Sequence, residues 1–180
     1  GKPLDLGVTR ITMVLKLMTW AKGYSGVRPK LAQLLVGMLN HDILPVIPRQ
    51  GSVGASGDLA PLAHMARAMI GEGDVHFQDR IMPALLALKE ANLEPTILEA
   101  KEGLSLINGT QVSTALGIRA LSESHKILET ADIAGALSAE ASLSTRVVFI
   151  PKIHKLKKHP GQVASATNVY NLLKGSDIVQ

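Results

Sequence analysis

The stretch TQVSTALGIRALSESHKILETADIAGALSAEASL, residues 110–143, is the longest part of the chain that keeps a helical pattern. It is rich in alanine and leucine, which are strong helix formers. A helix of this length is too long for a typical α/β unit and indicates an extended helical bundle. The sequence therefore predicts a mainly α fold, a segment of a long-helix bundle.

Shorter elements are predicted on both sides of this segment. Apolar residues at helical spacing, together with Pro29 at an early helical position, predict helices over residues 6–20, 29–40, 59–70, 83–92 and 162–173. Pro45 and Pro48 predict an extended segment. Two strand-like triplets around Gln78 and Asp79 predict one small β-hairpin over residues 75–82. Gly103 and Gly109 are expected to interrupt the chain before the long helix.

Composition and charge exclude several classes of protein. The 180 residues are 46% hydrophobic and 19% charged, which is a globular balance of the size of one ordinary domain. The net charge is +4, and part of the excess lies in KIHKLKKH, residues 152–159. This stretch is interpreted as a solvated face or a loop between helices, since nucleic-acid binding would need a broader basic patch with aromatic residues.

The residue types also argue against a metal site, a disulfide, a membrane span and a signal sequence. The chain has no cysteine, and its six histidines are scattered without an H-E-x-x-H arrangement, so neither a metal site nor a disulfide is expected. No run reaches the roughly 18 apolar residues of a membrane span, and the first residues lack an apolar signal core. The expectation is a cytoplasmic protein with no membrane or nucleic-acid partner.

The glycine-rich stretch GSVGASGDLAPLAH, residues 51–64, carries the strongest sign of chemistry. A P-loop would need a lysine after its last glycine, and none follows here. The pattern is also neither the G-x-S-x-G of a nucleophile elbow nor the G-x-G-x-x-G of a dinucleotide-binding turn. The residues by themselves leave open a turn that leads into a helix, with Asp58 as the N-cap.

This stretch closely resembles the signature of the histidine and phenylalanine ammonia-lyases, in the aromatic amino acid ammonia-lyase family. A second block, KEGLSLINGTQ at residues 101–111, resembles the family's other strong motif at the expected separation. GYSGVR at residues 23–28 and HPGQ at residues 159–162 are similar to further family elements. The resemblance covers essentially the whole chain and implies a homotetramer of long parallel helices that acts on a small-molecule amino acid.

The resemblance also implies a cofactor made from the chain itself. In this family an Ala-Ser-Gly triplet cyclises to 4-methylideneimidazol-5-one, which here assigns the role to Ala55, Ser56 and Gly57. The residue types suit this chemistry, because glycine permits the sharp bend that brings the nitrogen of Gly57 to the carbonyl carbon of Ala55. Ser56 supplies a hydroxyl that leaves as water. The product is an electrophile that no ordinary side chain provides, and neither a metal nor a nucleotide is implied.

Further site residues follow from the two matching blocks. Asn108 matches the family's active-site Asn, which hydrogen-bonds near the cofactor or the substrate carboxylate. Leu59 and Leu104 match positions that line the aromatic pocket, with ordinary core packing as the alternative. Asp58 is expected to orient the loop or assist dehydration, with simple helix capping as the alternative. His64 is assigned a structural rather than a catalytic role.

The chain is shorter than members of the family on both sides. We therefore expect one partial domain, residues 1–180, with the β-proton base and the carboxylate-binding arginine outside it. The implied reaction is non-oxidative elimination of ammonia, with L-histidine to urocanate favoured by NGTQ at residues 108–111 and APLAH at residues 60–64. A phenylalanine or tyrosine ammonia-lyase and a 2,3-aminomutase remain alternatives, as does an inactive truncated relative that acts as a structural or interaction module.

Overall fold

The computed structural model describes residues 1–179 of the chain. This part holds eight α-helices, one short 3-10 helix and three short strands, which confirms the predicted mainly helical fold with a small hairpin. The chain forms two compact units, Gly1–Arg119 and a second that begins at Ala120. The assignment of all residues to a single partial domain stays a prediction.

Two helices open the first unit and confirm the expected spans. Helix α1 covers Leu6–Ala21, and the side chain of Asp5 caps it by accepting a hydrogen bond from the backbone N–H of Gly7 at 2.9 Å. Helix α2 covers Pro29–Asn40 and begins with proline, whose missing N–H would have no partner in the first turn anyway. Its buried face consists of residues at helical spacing: Leu31, Leu34, Leu35 and Met38.

A three-stranded antiparallel sheet packs beside these helices. Strands β2, Asp74–Phe77, and β3, Arg80–Pro83, form the predicted hairpin, in which Val75 lies opposite Met82. The two residues of its turn, Gln78 and Asp79, have φ of +50° and +59°, as a tight hairpin turn requires. The sheet also has a strand that the sequence did not predict: β1, Leu44–Pro45, pairs with β2 in the segment expected only to be extended.

Three more helices complete the first unit. Helix α3 covers Leu59–Met69 and α4 covers Ala84–Glu90, both within the predicted spans. Helix α5, Glu102–Ile107, lies where the glycines were expected to interrupt the chain. Apolar side chains from all these elements form one core, whose most deeply buried members include Met13, Leu35, Leu62, Met69, Leu88 and Leu106.

The long helix predicted after Gly109 is present as α6, Gln111–Ala141. In the second unit it is followed by the 3-10 helix Arg146–Phe149, by α7, Pro151–Lys155, and by α8, Pro160–Leu172. A small core of this unit contains Ala136, Ala139, Val169, Leu173 and Val179. The basic stretch of residues 152–159 is exposed at most positions, partly in α7 and partly in the turn after it.

The described helices were compared with the length and apolar character of a membrane span. Within residues 1–179, no helix combines the length and the apolar character that crossing a bilayer requires. Even α6, the longest helix, has polar and charged residues distributed along its whole length.

Candidate active site

The predicted cofactor precursors lie in an exposed loop of the first unit. Ala55 and Ser56 are exposed and Gly57 is half-buried, immediately before α3 begins at Leu59. Gly54 has φ of +66° and Gly57 has φ of +90°, so two glycines bend the backbone on either side of the Ala-Ser pair. The hydroxyl that would leave from Ser56 is therefore in a sharply bent segment that solvent can reach.

The two sequence motifs meet at Gly57 and Gly109. These glycines form a parallel β-bridge, and the amide of Asp58 donates a hydrogen bond to the carbonyl of Gly109 at 2.7 Å. A Cβ built on Gly57 would collide with that carbonyl oxygen and would lie 2.9 Å from the carbonyl carbon. Only glycine fits this approach, so the contact fixes the backbone of the loop directly against the block that contains Asn108.

The carboxylate of Asp58 joins the same two segments. Asp58 is 1% exposed. One carboxylate oxygen accepts hydrogen bonds from the hydroxyls of Ser52 at 2.9 Å and Ser113 at 2.5 Å, and the other accepts from the backbone N–H of Ser113 at 2.7 Å. The backbone N–H of Val112 also donates to this group. A single buried carboxylate thus ties the loop to the first turn of α6.

These contacts define the charge and the capping role of Asp58. Burial by itself would raise the pKa of the carboxyl group, but the hydrogen bonds from Ser113, Ser52 and Val112 outweigh it and hold the pKa below its usual value. Asp58 occupies the N-cap position of α3, yet its side chain makes no capping hydrogen bond there. It caps α6 instead, where the donors of the first turn lack partners within the helix.

The remaining predicted residues lie around this junction at the surface. Asn108 follows α5 in an extended conformation, is exposed, and donates from its backbone N–H to the carbonyl of Leu104 at 2.9 Å. Leu59 is 37% exposed and Leu104 is 54% exposed. The structure therefore leaves both leucines outside the core, Leu59 at the start of α3 and Leu104 within α5. Their contact with a substrate stays a prediction.

A buried lysine supports the second motif and was not identified from the sequence. Lys16 of α1 is 1% exposed, and its ammonium group donates hydrogen bonds to the carbonyls of Ser105 at 3.2 Å and Asn108 at 3.4 Å. Burial lowers its pKa to about 8. The sequence carried one signal: Val8, Thr12, Lys16 and Trp20 share one face of α1, and this face is buried.

An ion pair fixes the other end of α5. Both carboxylate oxygens of Glu102 accept from the guanidinium of Arg28, at 2.9 and 2.7 Å, and Glu102 is 1% exposed. The hydrogen bond with Arg28 outweighs burial and lowers the pKa of Glu102 to about 2. The hydroxyl of Ser105 donates to the carbonyl of Ser25 at 2.7 Å. The GYSGVR and KEGLSLINGTQ segments are therefore joined in space.

Two other residues, His64 and Tyr24, take part in none of the hydrogen bonds described above. His64 is half-buried within α3, and its structural role stays a prediction. Tyr24, in the GYSGVR turn, is 91% exposed. Among residues 1–179, no group of three or more His, Asp or Glu side chains is arranged to hold a metal ion.

The loop fits a cofactor formed from its own backbone. The backbone bends at Gly57, and the carbonyl of Gly109 closes one side of this bend. A side chain at position 57 would collide with that carbonyl. The flanking Asp58 is anchored by several hydrogen bonds, so the bent conformation is supported from the C-terminal side. The exposed Ser56 completes an Ala-Ser-Gly triplet whose residue types suit cyclisation.

Comparison with protein families gives a match over the entire chain. The model that describes aromatic amino acid lyases matches residues 1–180. A protein from Halobacterium salinarum named "Probable histidine ammonia-lyase" is 48% identical over 99% of the chain. The match covers 34% of that protein, so the chain spans about a third of the length of the curated relatives it matches.

Solved structures match the fold closely. Histidine ammonia-lyase from Trypanosoma cruzi has a TM-score of 0.88 and 39% identity, with 94% of this chain and 33% of that one covered. Phenylalanine aminomutase from Pantoea agglomerans has a TM-score of 0.94 and 32% identity, with 100% of this chain and 34% of that one covered. The similar structures thus include enzymes of two named activities.

Proposed function

The chain belongs to the aromatic amino acid lyase family, and we propose that the full-length protein eliminates ammonia from L-histidine to give urocanate. The observation that carries this proposal is the junction at Gly57 and Gly109, where the Ala-Ser-Gly loop lies against the segment that contains Asn108. The 48% identity to a probable histidine ammonia-lyase supports histidine as the substrate.

The first step that the residues of this chain perform is formation of the cofactor. The nitrogen of Gly57 attacks the carbonyl carbon of Ala55, the ring closes, and the carbonyl oxygen leaves as water. The hydroxyl of Ser56 leaves as a second water and creates an exocyclic alkene. The resulting 4-methylideneimidazol-5-one supplies an electrophile that activates the amino acid for loss of ammonia.

The surrounding residues hold the loop for this reaction. The carbonyl of Gly109 fixes the amide of Asp58 at 2.7 Å, which sets the backbone direction directly after the ring-forming nitrogen. The hydrogen-bond donors around Asp58 lower the pKa of its carboxyl group, so the group is ionised at neutral pH. We assign Asp58 to orienting the loop, because an ionised carboxylate whose two oxygens already accept hydrogen bonds is a poor proton donor.

Asn108 and two leucines form the substrate side of the proposed site. Asn108 is exposed at the end of α5, so its amide is available to hydrogen-bond a substrate carboxylate or the ring. Leu59 at the start of α3 and Leu104 in α5 expose apolar surface, which suits contact with an aromatic ring. In the elimination, the α C–N bond and a β C–H bond break, a C=C bond forms, and ammonium and the unsaturated acid are released.

We propose that the full-length protein is a cytoplasmic homotetramer. Large apolar side chains of α6 in the second unit are exposed by half or more: Leu121, Ile127, Leu128, Ile133 and Leu137. Exposed apolar surface of this kind is typical of a subunit interface, and the resemblance implies a tetramer of long helices. No metal and no nucleotide take part in the proposed chemistry.

A second activity is favoured by the structural comparison. A phenylalanine aminomutase matches the fold with a TM-score of 0.94, so a 2,3-aminomutase that uses the same cofactor is the runner-up. A phenylalanine or tyrosine ammonia-lyase is the next alternative. Both differ from the main proposal in substrate or product and share the same Ala55–Gly57 chemistry. An inactive truncated relative, acting as an interaction module, is the alternative outside the enzymes.

One assay separates these functions. The full-length protein is incubated with L-histidine, L-phenylalanine and L-tyrosine, and the unsaturated acid, the ammonium and any β-amino acid are measured. Urocanate from histidine supports the proposal, and a β-amino acid identifies an aminomutase. The intact mass of the subunit is measured in parallel. A mass that shows no loss of two waters, with no product from any substrate, identifies the inactive alternative.

A further inference from the structure

Lys16 is buried at a place where a lysine is costly. Removing an ammonium group from water costs several kcal/mol unless its hydrogen bonds are replaced. An apolar residue at this position of α1 would extend the core formed by Val8, Met13 and Trp20. Packing of the core therefore does not explain a lysine at position 16. The hydrogen-bond partners of Lys16 indicate the role of its side chain.

Both partners are carbonyls at the C-terminal end of α5. The last carbonyls of a helix have no N–H partner within the helix. The ammonium group of Lys16 donates to two of these acceptors, Ser105 and Asn108, across 89 and 92 residues of sequence. A positive charge at a helix C-terminus is also favourable, because the carbonyls there carry partial negative charge.

The carbonyl of Asn108 belongs to the peptide that joins Asn108 to Gly109. Holding that carbonyl fixes the plane of this peptide, and only the two backbone dihedral angles of Gly109 separate it from the next carbonyl, that of Gly109. The carbonyl of Gly109 accepts from the amide of Asp58 at 2.7 Å and closes the space beside Gly57. A continuous set of contacts thus runs from Lys16 to the bent loop.

We propose that Lys16 is a positioning residue that holds the Asn108–Gly109 peptide so that the Ala55-Ser56-Gly57 loop is bent for ring closure and Asn108 is oriented towards substrate. This inference rests on the proposed function, since it concerns formation and use of the same cofactor. Burial lowers the pKa of Lys16 to about 8, which leaves the group mostly protonated and able to donate both hydrogen bonds at neutral pH.

The test compares three variants of the full-length protein with the wild type. Lys16→Met keeps the length of the side chain and removes the donors, whereas Lys16→Arg keeps them. Lys22→Met, on an exposed lysine just after α1, is the matched control. Intact mass is followed over time after cell-free synthesis to give the rate at which two waters are lost. kcat, KM and thermal melting are measured on the purified enzymes.

We expect Lys16→Met to fold with a melting temperature near that of the wild type. The loss of two waters should slow by about tenfold to a hundredfold, the range expected for lost hydrogen bonds to a charged group. kcat per processed subunit should fall more than KM rises, because Asn108 is misdirected. Lys16→Arg should recover most of both rates, and Lys22→Met should match the wild type.

Several results would overturn the inference. If Lys16→Met loses two waters and turns over substrate like the wild type, Lys16 has no positioning role. If the Met and Arg variants are equally impaired, the effect comes from the shape of the side chain and not from its hydrogen bonds. If Lys16→Met does not fold, Lys16→Leu, which also lacks donors, is judged by the same criteria. Failure of both to fold makes Lys16 a purely structural residue. If the wild type itself never loses two waters, the proposed function fails instead.

Discussion

Ser113 donates two hydrogen bonds to the carboxylate of Asp58, from its backbone N–H at 2.7 Å and from its hydroxyl at 2.5 Å. Asp58 follows directly on the Ala55-Ser56-Gly57 triplet, whereas Ser113 lies in the first turn of α6, 55 residues further along the chain. The pair thus connects the long helix to the loop that contains this triplet. Changes at either residue should affect both the stability of α6 and the geometry of the loop.

Replacing Asp58 by Asn should destabilise the protein and slow cofactor formation. The amide has only one acceptor oxygen and no charge, so it can accept from the backbone N–H of Ser113 only by turning its NH2 group towards the hydroxyls of Ser52 and Ser113. Hydrogen bonds to a charged group contribute about 1.5–3 kcal/mol, against about 0.5–1.5 kcal/mol for neutral ones, so the substitution weakens the whole set. Urea unfolding of the full-length protein and intact mass measure the two effects. Ser52→Ala, which removes a single hydrogen bond to Asp58, should cost clearly less. An Asp58→Asn protein with unchanged stability and unchanged cofactor formation would show that the negative charge of Asp58 does not hold the loop.

Replacing Ser56 by Ala should abolish the electrophile, since alanine has no hydroxyl to eliminate. Turnover should drop to the level of the reaction without enzyme, while substrate affinity should fall far less because Asn108 remains. Product absorbance and substrate binding are measured side by side. Ser124→Ala, on an exposed serine of α6, is the control and should behave like the wild type. Wild-type turnover by Ser56→Ala would contradict the cofactor assignment.

Replacing Gly57 by Ala should prevent ring closure at an earlier step. At φ of +90°, a side chain is strained by roughly 1–3 kcal/mol, and its Cβ would also collide with the backbone of Gly109. Gly54→Ala is the matched control, because Gly54 also has a positive φ but its Cβ would meet nothing within 4 Å. Intact mass should show unprocessed Gly57→Ala and at least partly processed Gly54→Ala. Equal processing of the two would remove the steric argument.

The ion pair of Glu102 with Arg28 should make stability depend on acid pH. The folded pKa of Glu102, about 2, lies below the roughly 4.3 of an unfolded glutamate. A lowered folded pKa contributes stability that is fully present above the unfolded value and is lost as pH falls towards 2. The free energy of unfolding, measured by urea between pH 2 and 7, should therefore decline in this window.

Glu102→Gln should reduce that decline, because the variant lacks the titrating group. Glu94→Gln is the control, since the side chain of Glu94 is 87% exposed and its ion pair with Lys30 spans 4.0 Å. The control should keep the slope of the wild type. A Glu102→Gln protein with an unchanged slope between pH 2 and 4 would show that other carboxylates cause the acid dependence.

The 180-residue chain by itself should self-associate. Its α6 exposes five large apolar side chains in the second unit: Leu121, Ile127, Leu128, Ile133 and Leu137. Burying such surface between copies is favourable by about 25 cal/mol per Å² of apolar area. Sedimentation velocity over a concentration series should show species heavier than the monomer. Replacing Ile127 and Leu128 by Lys should shift the distribution towards monomer, and a clean wild-type monomer at high concentration would refute this expectation.

The sequence determined the elements whose signals are local. Helices α1, α2, α3 and α6 follow from apolar periodicity and proline placement, and the β2–β3 hairpin follows from two strand-like triplets around a turn. These features depend on neighbouring residues, so a single sequence is enough to predict them. The two motifs and their order were also readable, and they led to the family.

Other elements lacked a local signal strong enough to predict them. Helix α5 has only six residues, which is less than two full turns, and β1 has two. Their formation depends on packing against the rest of the first unit. Lys101 at the start of α5 even adopts φ of +71°, a conformation that sequence patterns do not indicate for lysine.

Only the tertiary structure decided how the candidate site is supported. The sequence named Ala55, Ser56, Gly57 and Asn108, but the contact of Gly57 with Gly109 joins residues 52 positions apart. Lys16 reaches Asn108 across 92 residues, and Asp58 caps α6 rather than the helix it precedes. The physical reason is that these groups find their partners through packing. Periodicity and spacing describe neighbours along the chain, whereas a buried charge is satisfied by whichever donors or acceptors the fold places beside it.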